Sequence, residues 1–277
     1  VLATSHYHKT GTMRWANTLI TEKFSNISSD ILNAPIQSGK AFATFVILAK
    51  KMNAAELQRV SSSTNSLVIG MPESVELLKA SAVELIALED IKKSDERIKH
   101  DLIAKKELDS RIEDSKRNVS DYFHELLDDA QWHYCGKLLK PKPLSAIASQ
   151  IASSLFEKSP SVLNELVNRS KPSGSANAAI NKLMLLMLEH TGEEDLGFAE
   201  DSFPPEKGIY LSCLQSKGWH IETAEGYTFP YEWDKQQQKD HPEMFALWQS
   251  GVELIKNSES IITIDELYKY WMSPPFG

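Results

Sequence analysis

Two short apolar runs in the first third of the chain predict buried β-strands. Residues 42–49 and 66–71 are rich in β-branched and aromatic side chains, and a helical pattern follows each of them. Continuous apolar runs of this kind are typical of strands that are covered on both faces. Pro72 suits the start of a helix, and apolar residues at helical spacing follow it. Residues 1–90 are therefore predicted to form a small α/β segment.

The pattern changes at about residue 91. Residues 92–129 contain no proline or glycine, are highly charged, and carry apolar side chains at intervals of three to seven positions. These apolar positions are Ile98, Leu102, Leu108, Ile112, Val119, Phe123 and Leu126. A stripe this thin predicts a long, largely solvated helix, either a projecting arm or a loose hairpin. We assign residues 91–136 to this long charged helix or helical arm.

Helical patterns resume after a boundary at residues 137–143 that is rich in lysine and proline. The predicted helices cover residues 144–156, 162–167, 176–190, 209–217, 242–256 and 265–271. Residues 218–229 predict a β-hairpin, and residues 261–263 predict a short strand. Helices followed by a small hairpin indicate a winged-helix-like domain at residues 137–232, and residues 233–277 begin a second helical module.

The predicted fold class is thus mainly α with a small α/β N-terminal part. A long charged helix follows that part and precedes the winged-helix-like modules. The order of strand and helix in residues 1–90 is typical of the tail of a nucleotide-binding-type domain.

Composition narrows the classes of function. The 277 residues include 38 acidic and 30 basic side chains, and this net charge of −8 argues against a protein that coats nucleic acid. The only two cysteines are far apart and indicate neither a disulfide framework nor a zinc module. No apolar run approaches the roughly 20 residues that a membrane helix requires, so we expect no membrane partner and a cytoplasmic location. Because the chain starts without methionine and ends abruptly, we expect an internal piece of a longer protein.

Three groups of residues are candidates for chemistry, and each departs from the pattern that the chemistry needs. Gly39 and Lys40 suggest a phosphate-binding loop, but alanine stands where the loop needs its first glycine and its Ser/Thr hydroxyl. His6 and His8 have strand-like spacing, yet two imidazoles do not complete a metal site. The acidic residues Glu189, Glu193, Glu194 and Asp195 are typical of a solvated turn. We therefore expect no catalytic residue, metal ligand or cofactor in this chain.

The best candidate surface for nucleic acid lies around the start of the predicted helix 176–190. Basic and polar side chains at the amino end of a helix suit phosphate groups. The candidate residues are Arg169, Lys171, Asn177, Asn181 and Lys182, and Lys217 before the hairpin adds a contact from the wing. Winged helices also bind proteins, so both kinds of partner stay open.

Several segments resemble a known family. They are NSLVIGMP at residues 65–72 with the helix that ends at Ile91, LNELVNRSKP at residues 163–172, EEDLG at residues 193–197 with FPPE at residues 203–206, and LYKYWMSPPFG at residues 267–277. Together they resemble the region C-terminal to the ATPase core in large bacterial P-loop ATPases of phage-defence systems, the BREX-type bacteriophage-exclusion group. The Walker motifs of that family have no counterpart here.

The resemblance implies a non-catalytic helical scaffold that couples ATPase movement to other subunits of a defence complex or to double-stranded DNA. It also implies that ATP hydrolysis belongs to another part of the parent protein. One alternative is a winged-helix DNA-binding protein without an ATPase. A second alternative is an enzyme whose site has not been recognised.

Overall fold

The chain divides into two compact units. The computed structural model describes residues 1–37, 41–169 and 171–277. The sheet unit comprises Val1 and residues 15–148, and the helical unit comprises residues 2–14 and 149–277. Helices make up 56% of the structure and the mixed sheet lies in the N-terminal part, so the predicted fold class, mainly α with a small α/β N-terminal region, is confirmed. The division into four functional segments stays a prediction.

A five-stranded sheet organises the sheet unit. Its strands are β1 (Asn17–Thr21), β2 (Thr44–Leu48), β3 (Leu67–Met71), β4 (Gln131–Tyr134) and β5 (Lys137–Leu138), in that spatial order. The first three strands are parallel, and β4 joins β3 antiparallel. The two apolar runs of the sequence form β2 and β3, as predicted. The sequence pattern missed β1, β4 and β5.

The central strands are buried on both faces, which explains their continuous apolar sequence. Helices α2 (Ser29–Gln37) and α3 (Ala54–Ser61) belong to this unit. One core cluster joins the sheet to α3 and consists of Val46, Leu48, Leu57, Val60, Leu67 and Ile69. Phe45 alternates to the other face and meets Trp132 of β4 edge to face, with 5.2 Å between ring centroids. Trp132 also covers Gly70 so closely that a Cβ atom there would lie 2.6 Å from its ring.

The charged region forms a helical hairpin instead of one long helix. Its helices are α4 (Glu76–Ser94), α5 (Glu96–His100) and α6 (Leu102–Asp129). Asp95 and Asp101 interrupt the helix because each carboxylate accepts a hydrogen bond from backbone N–H groups of the segment that follows. Leu88, Leu108 and Ile112 pack between α4 and α6. Of the two predicted arrangements, the structure has the helical hairpin, and its second long helix begins at Leu102 and not at residue 92.

The helical unit starts with α1 (Thr4–Thr10) and continues after residue 148. Its other elements are α7 (Leu144–Leu155), in which the boundary between the units falls, α8 (Gly174–Glu189), α9 (Pro205–Cys213), β6 (Ile221–Thr223), β7 (Gly226–Thr228), α10 (Lys235–Asp240), α11 (Pro242–Asn257) and α12 (Ile264–Trp271). The strands β6 and β7 pair antiparallel as the predicted hairpin. The core between α8 and α9 contains Ala179, Leu183, Leu196, Ile209 and Tyr210.

Two predicted elements of the helical unit are wrong. Residues 162–167 contain a turn and no helix. Residues 261–263 are not a strand, because the Thr263 hydroxyl caps α12 by accepting the Glu266 N–H, and the Glu266 carboxylate accepts the Thr263 N–H at 2.8 Å. In the part of the chain that the structure describes, no helix is long and apolar enough to span a bilayer.

Candidate interaction surface

The sequence-predicted nucleic-acid residues begin at the amino end of α8. The Ser173 hydroxyl caps this helix and accepts the Ala176 N–H at 3.2 Å. Lys171 is exposed just before the cap, and Asn177 and Asn181 lie one turn apart on the exposed face of the helix. These three polar side chains therefore share one end of α8.

Arg169 and Lys217, the other basic candidates near α8 and the hairpin, are less free to bind a ligand. The Arg169 guanidinium lies 3.5 Å from the carboxylate of Glu165, and both side chains are exposed. Such a surface ion pair holds its partners weakly. Lys217 is partly buried in the turn that follows α9.

Lys182 forms an ion pair with another residue of the helical unit. Its ammonium forms an ion pair with Glu206 at the start of α9, and only 6% of the Glu206 side chain is exposed. The hydrogen bond from Lys182 lowers the pKa of Glu206 below its ordinary value, despite an opposing effect of desolvation. Lys182 therefore joins α8 to α9, and its charge is already compensated.

Helix α9 offers no exposed basic side chain. In helix-turn-helix proteins the second helix enters the major groove, and α9 precedes the hairpin in the corresponding position. Its one basic residue, Lys207, is buried and donates to the carbonyl oxygens of Ala199 at 2.7 Å and Glu200 at 3.4 Å. Helix α9 itself therefore presents no positive charge for phosphate contacts.

The carboxyl half of α8 is apolar on its outer face. Met184, Leu185 and Leu188 are 59%, 57% and 81% exposed, whereas Ala179 and Leu183 on the opposite face are buried. We call the three exposed residues the α8 apolar patch. Sequence reasoning missed it, although the unbroken apolar stretch from Leu183 to Leu188 places apolar side chains on every face of this half of the helix.

A second apolar surface lies on α12. Ile264, Tyr268 and Met272 follow one another at intervals of four residues and are all exposed. Successive residues at this spacing lie on one face of a helix. We call these residues the α12 apolar stripe. Both surfaces exceed the isolated exposed leucines that soluble proteins commonly show.

The predicted solvated acidic turn is partly built into the core. Asp195 and Leu196 have φ values of 48° and 52°, a conformation that L-residues usually avoid. Leu196 is 1% exposed, and its burial helps to hold the turn in this conformation. The Asp195 carboxylate accepts a hydrogen bond from Gln215 Nε2 at 2.7 Å, and the same oxygen lies 3.3 Å from the Tyr210 hydroxyl. The turn therefore has a structural role.

Tyr210 and His220 extend this hydrogen-bonded group. His220 Nε2 lies 2.8 Å from the carbonyl oxygen of Thr191, which can only accept, so that nitrogen carries a proton. Nδ1 lies 2.8 Å from the Tyr210 hydroxyl. Burial, together with the Asp195 carboxylate, raises the pKa of Tyr210. Both rings are buried, and the pair joins α9 to the residue that precedes β6.

The two N-terminal histidines lie on a helix, so the strand-like spacing predicted for them is wrong. His6 is buried in α1, where Nδ1 lies 3.1 Å from Ser153 Oγ and Nε2 accepts the Arg14 Nε–H at 3.2 Å. Burial, and then the charges of Arg14 and Lys9, lower the pKa of His6 to about 4. His8 is exposed. Among the described residues, no three His, Cys, Asp or Glu side chains are grouped to hold a metal ion.

Gly39 and Lys40, the pair that suggested a phosphate-binding loop, lie outside the described residues. Comparisons with protein families, with curated proteins and with solved structures found no match to the chain.

Proposed function

We propose that this chain is a non-catalytic interaction region of a large bacterial phage-defence ATPase of the BREX type. In this proposal it acts in the cytoplasm and couples ATPase movement to another protein of the defence complex. The segments at residues 65–72 and 267–277 support the choice of parent protein. The α8 apolar patch is the observation that carries the choice of a protein as partner.

The chemistry of the helical unit favours a protein partner over DNA. Full burial of an exposed leucine or methionine side chain contributes about 1.5–3 kcal/mol, and the patch presents three such side chains. The charge of Lys182 is compensated by Glu206, and Lys207 is buried. DNA binding depends largely on basic groups that neutralise phosphates. Neither lysine therefore offers a free positive charge to phosphate, whereas the α8 apolar patch leaves three apolar side chains exposed.

The helical hairpin supports a mechanical role. Leu88, Leu108 and Ile112 pack between its two long helices, and an ion pair of 2.6 Å joins Lys92 to Asp109. A hairpin held along its length transmits displacement better than a flexible linker does. We propose that the hairpin transmits the ATPase movement to the partner protein.

Exchange of a single leucine tests the proposed interaction. The chain is co-expressed with the products of its neighbouring genes, and co-purification is measured for Leu188→Ser and for Leu163→Ser. Leu163 is also in the helical unit and is 67% exposed, so it controls for loss of surface apolarity. We expect Leu188→Ser to reduce the recovered partner at least about tenfold, as loss of a central contact does. An equal effect of both variants would contradict the proposal.

DNA binding through the start of α8 is the alternative, and the exposed Lys171, Asn177 and Asn181 favour it. A gel-shift assay at low salt compares the native chain with the double variant Arg169→Ala, Lys171→Ala. Binding that falls with salt and is lost in the double variant would support this alternative. Lys182 is left unchanged because its charge is already paired with Glu206.

A further inference from the structure

A small cavity of about 250 Å³ lies at the carboxyl ends of β1 and β2 in the sheet unit. Three lysines line it, together with Phe24, Met52 and Glu56. The lysines are Lys23, Lys50 and Lys51. The loops that follow β1 and β2 therefore supply most of its lining, and α3 contributes Glu56.

The backbone explains why lysines from two distant segments meet. Parallel pairing continues beyond the strand ends, with hydrogen bonds from Ala49 N–H to the Thr21 carbonyl at 2.9 Å and from Lys50 N–H to the Glu22 carbonyl at 3.0 Å. The segments 22–25 and 49–52 therefore run side by side. Pairing of the two strands therefore places Lys23 at the same cavity as Lys50 and Lys51, although more than 20 residues separate Lys23 from them in the sequence.

The charges around the cavity do not cancel. Lys50 forms an ion pair with Glu22, and this hydrogen bond lowers the pKa of the Glu22 carboxyl. Among the described residues, neither Lys23 nor Lys51 has an ion-pair partner. Glu56 is the opposing charge, and its carboxylate accepts the Asn53 side-chain amide at 3.4 Å. Two ammonium groups therefore stand against one carboxylate, which leaves an excess of positive charge.

We propose that this cavity binds the phosphate group of a small molecule, independently of the interaction surfaces of the helical unit. Ammonium groups form short, charge-assisted hydrogen bonds with phosphate oxygens. Phe24 and Met52 supply apolar walls for the part of the ligand next to the phosphate. Sites for drug-sized ligands occupy about 300–1,000 Å³, so this cavity suits a phosphate group with few further atoms.

Calorimetric titration with inorganic phosphate and with pyrophosphate tests the proposal. Ionic strength is held constant with chloride, so that screening is the same in every sample. Lys51→Gln and Lys23→Gln should each weaken binding about tenfold, the loss expected for one charge-assisted hydrogen bond. Lys106→Gln is the matched control, because Lys106 is an exposed lysine of the hairpin. Glu56→Gln should strengthen binding, because it removes the opposing charge.

Absence of phosphate and pyrophosphate binding to the native chain would overturn the proposal. Equal weakening by Lys106→Gln would do the same, since it would show a general effect of net charge. A DNA duplex is titrated as a further arm. Binding of the duplex that depends on Lys23 and Lys51, without pyrophosphate binding, would assign the lysines to nucleic acid and reject a small ligand.

Discussion

The two units bury different kinds of polar group. Among the described residues of the sheet unit, the buried polar side chains are hydroxyl-bearing: Thr44, Ser61, Ser81 and Ser115. The helical unit also buries side chains that can ionise: His6, Glu206, Lys207 and His220. A buried hydroxyl needs one partner, whereas a buried ionisable group needs a defined protonation state or a compensating charge.

The two units should therefore respond differently to mutation and to pH. The core of the sheet unit depends on apolar burial and packing, so cavities should affect it most. The helical unit depends on matched polar partners, so pH and the loss of one partner should affect it most.

Truncation of a central strand residue should give the largest loss of stability. Ile69 is fully buried in the cluster that joins the sheet to α3. Ile69→Ala removes its contacts and leaves a cavity, which should lower the free energy of unfolding by about 2–5 kcal/mol. Urea denaturation measures the change. Leu163→Ala, on the surface, should cost less than about 0.5 kcal/mol, and similar losses in the two variants would refute an apolar origin of this stability.

Acid should destabilise the helical unit through His6. Its pKa is about 4 in the folded chain and 6.5 ordinarily, so the unfolded chain binds more protons between these values. Stability present above pH 6.5 is therefore lost as the pH falls toward 4. One pKa unit corresponds to about 1.4 kcal/mol, so the total loss is about 3 kcal/mol.

Thermal unfolding of the native chain and of His6→Gln across this pH range measures the effect. The difference in stability between the two proteins should shrink as the pH falls, because glutamine does not titrate. A constant difference from pH 7 to pH 4 would show that His6 is not held neutral in the fold.

Loss of Lys182 should have the smallest effect of the three. Lys182→Met leaves the covered Glu206 carboxylate without its cation, and we expect a cost of about 1 kcal/mol because the lysine itself is largely exposed. The folded pKa of Glu206 is lowered, so the advantage of the native chain is present above pH 4.5 and lost as the pH falls below it. Denaturation at pH 7 and pH 3 checks this. An equal cost at both values would argue against a charge interaction.

Some strands of the sheet are evident from the sequence, whereas other strands and the breaks in the helical hairpin are not. β2 and β3 are evident because burial on both faces selects a continuous apolar run. β1 contains Asn17, Thr18 and Thr21 and lies at the sheet edge, so its pattern is weak. β4 follows a long charged helix, and its Trp132 could equally have belonged to a helix end. Asp95 and Asp101 were counted as part of the charged helix, although aspartate is also a preferred N-cap.

The candidate surface was harder to predict because its chemistry depends on distant partners. Lys182 looked like a free basic residue, and its partner Glu206 lies 24 positions further along the chain. The converging lysines of the sheet unit become neighbours only through parallel pairing of β1 and β2. The α8 apolar patch lies in the apolar stretch from Leu183 to Leu188, and such a stretch predicts residues that are buried in the core. Local periodicity reports which face is buried, but it does not report what a second face contacts.

Photo-crosslinking at position 188 tests the proposed interaction most directly. A benzophenone amino acid replaces Leu188, or Leu163 as the control, and the chain is co-expressed with the products of its neighbouring genes. The account predicts a protein adduct from position 188 that is absent from position 163. No adduct at position 188, or an adduct with DNA alone, would contradict it.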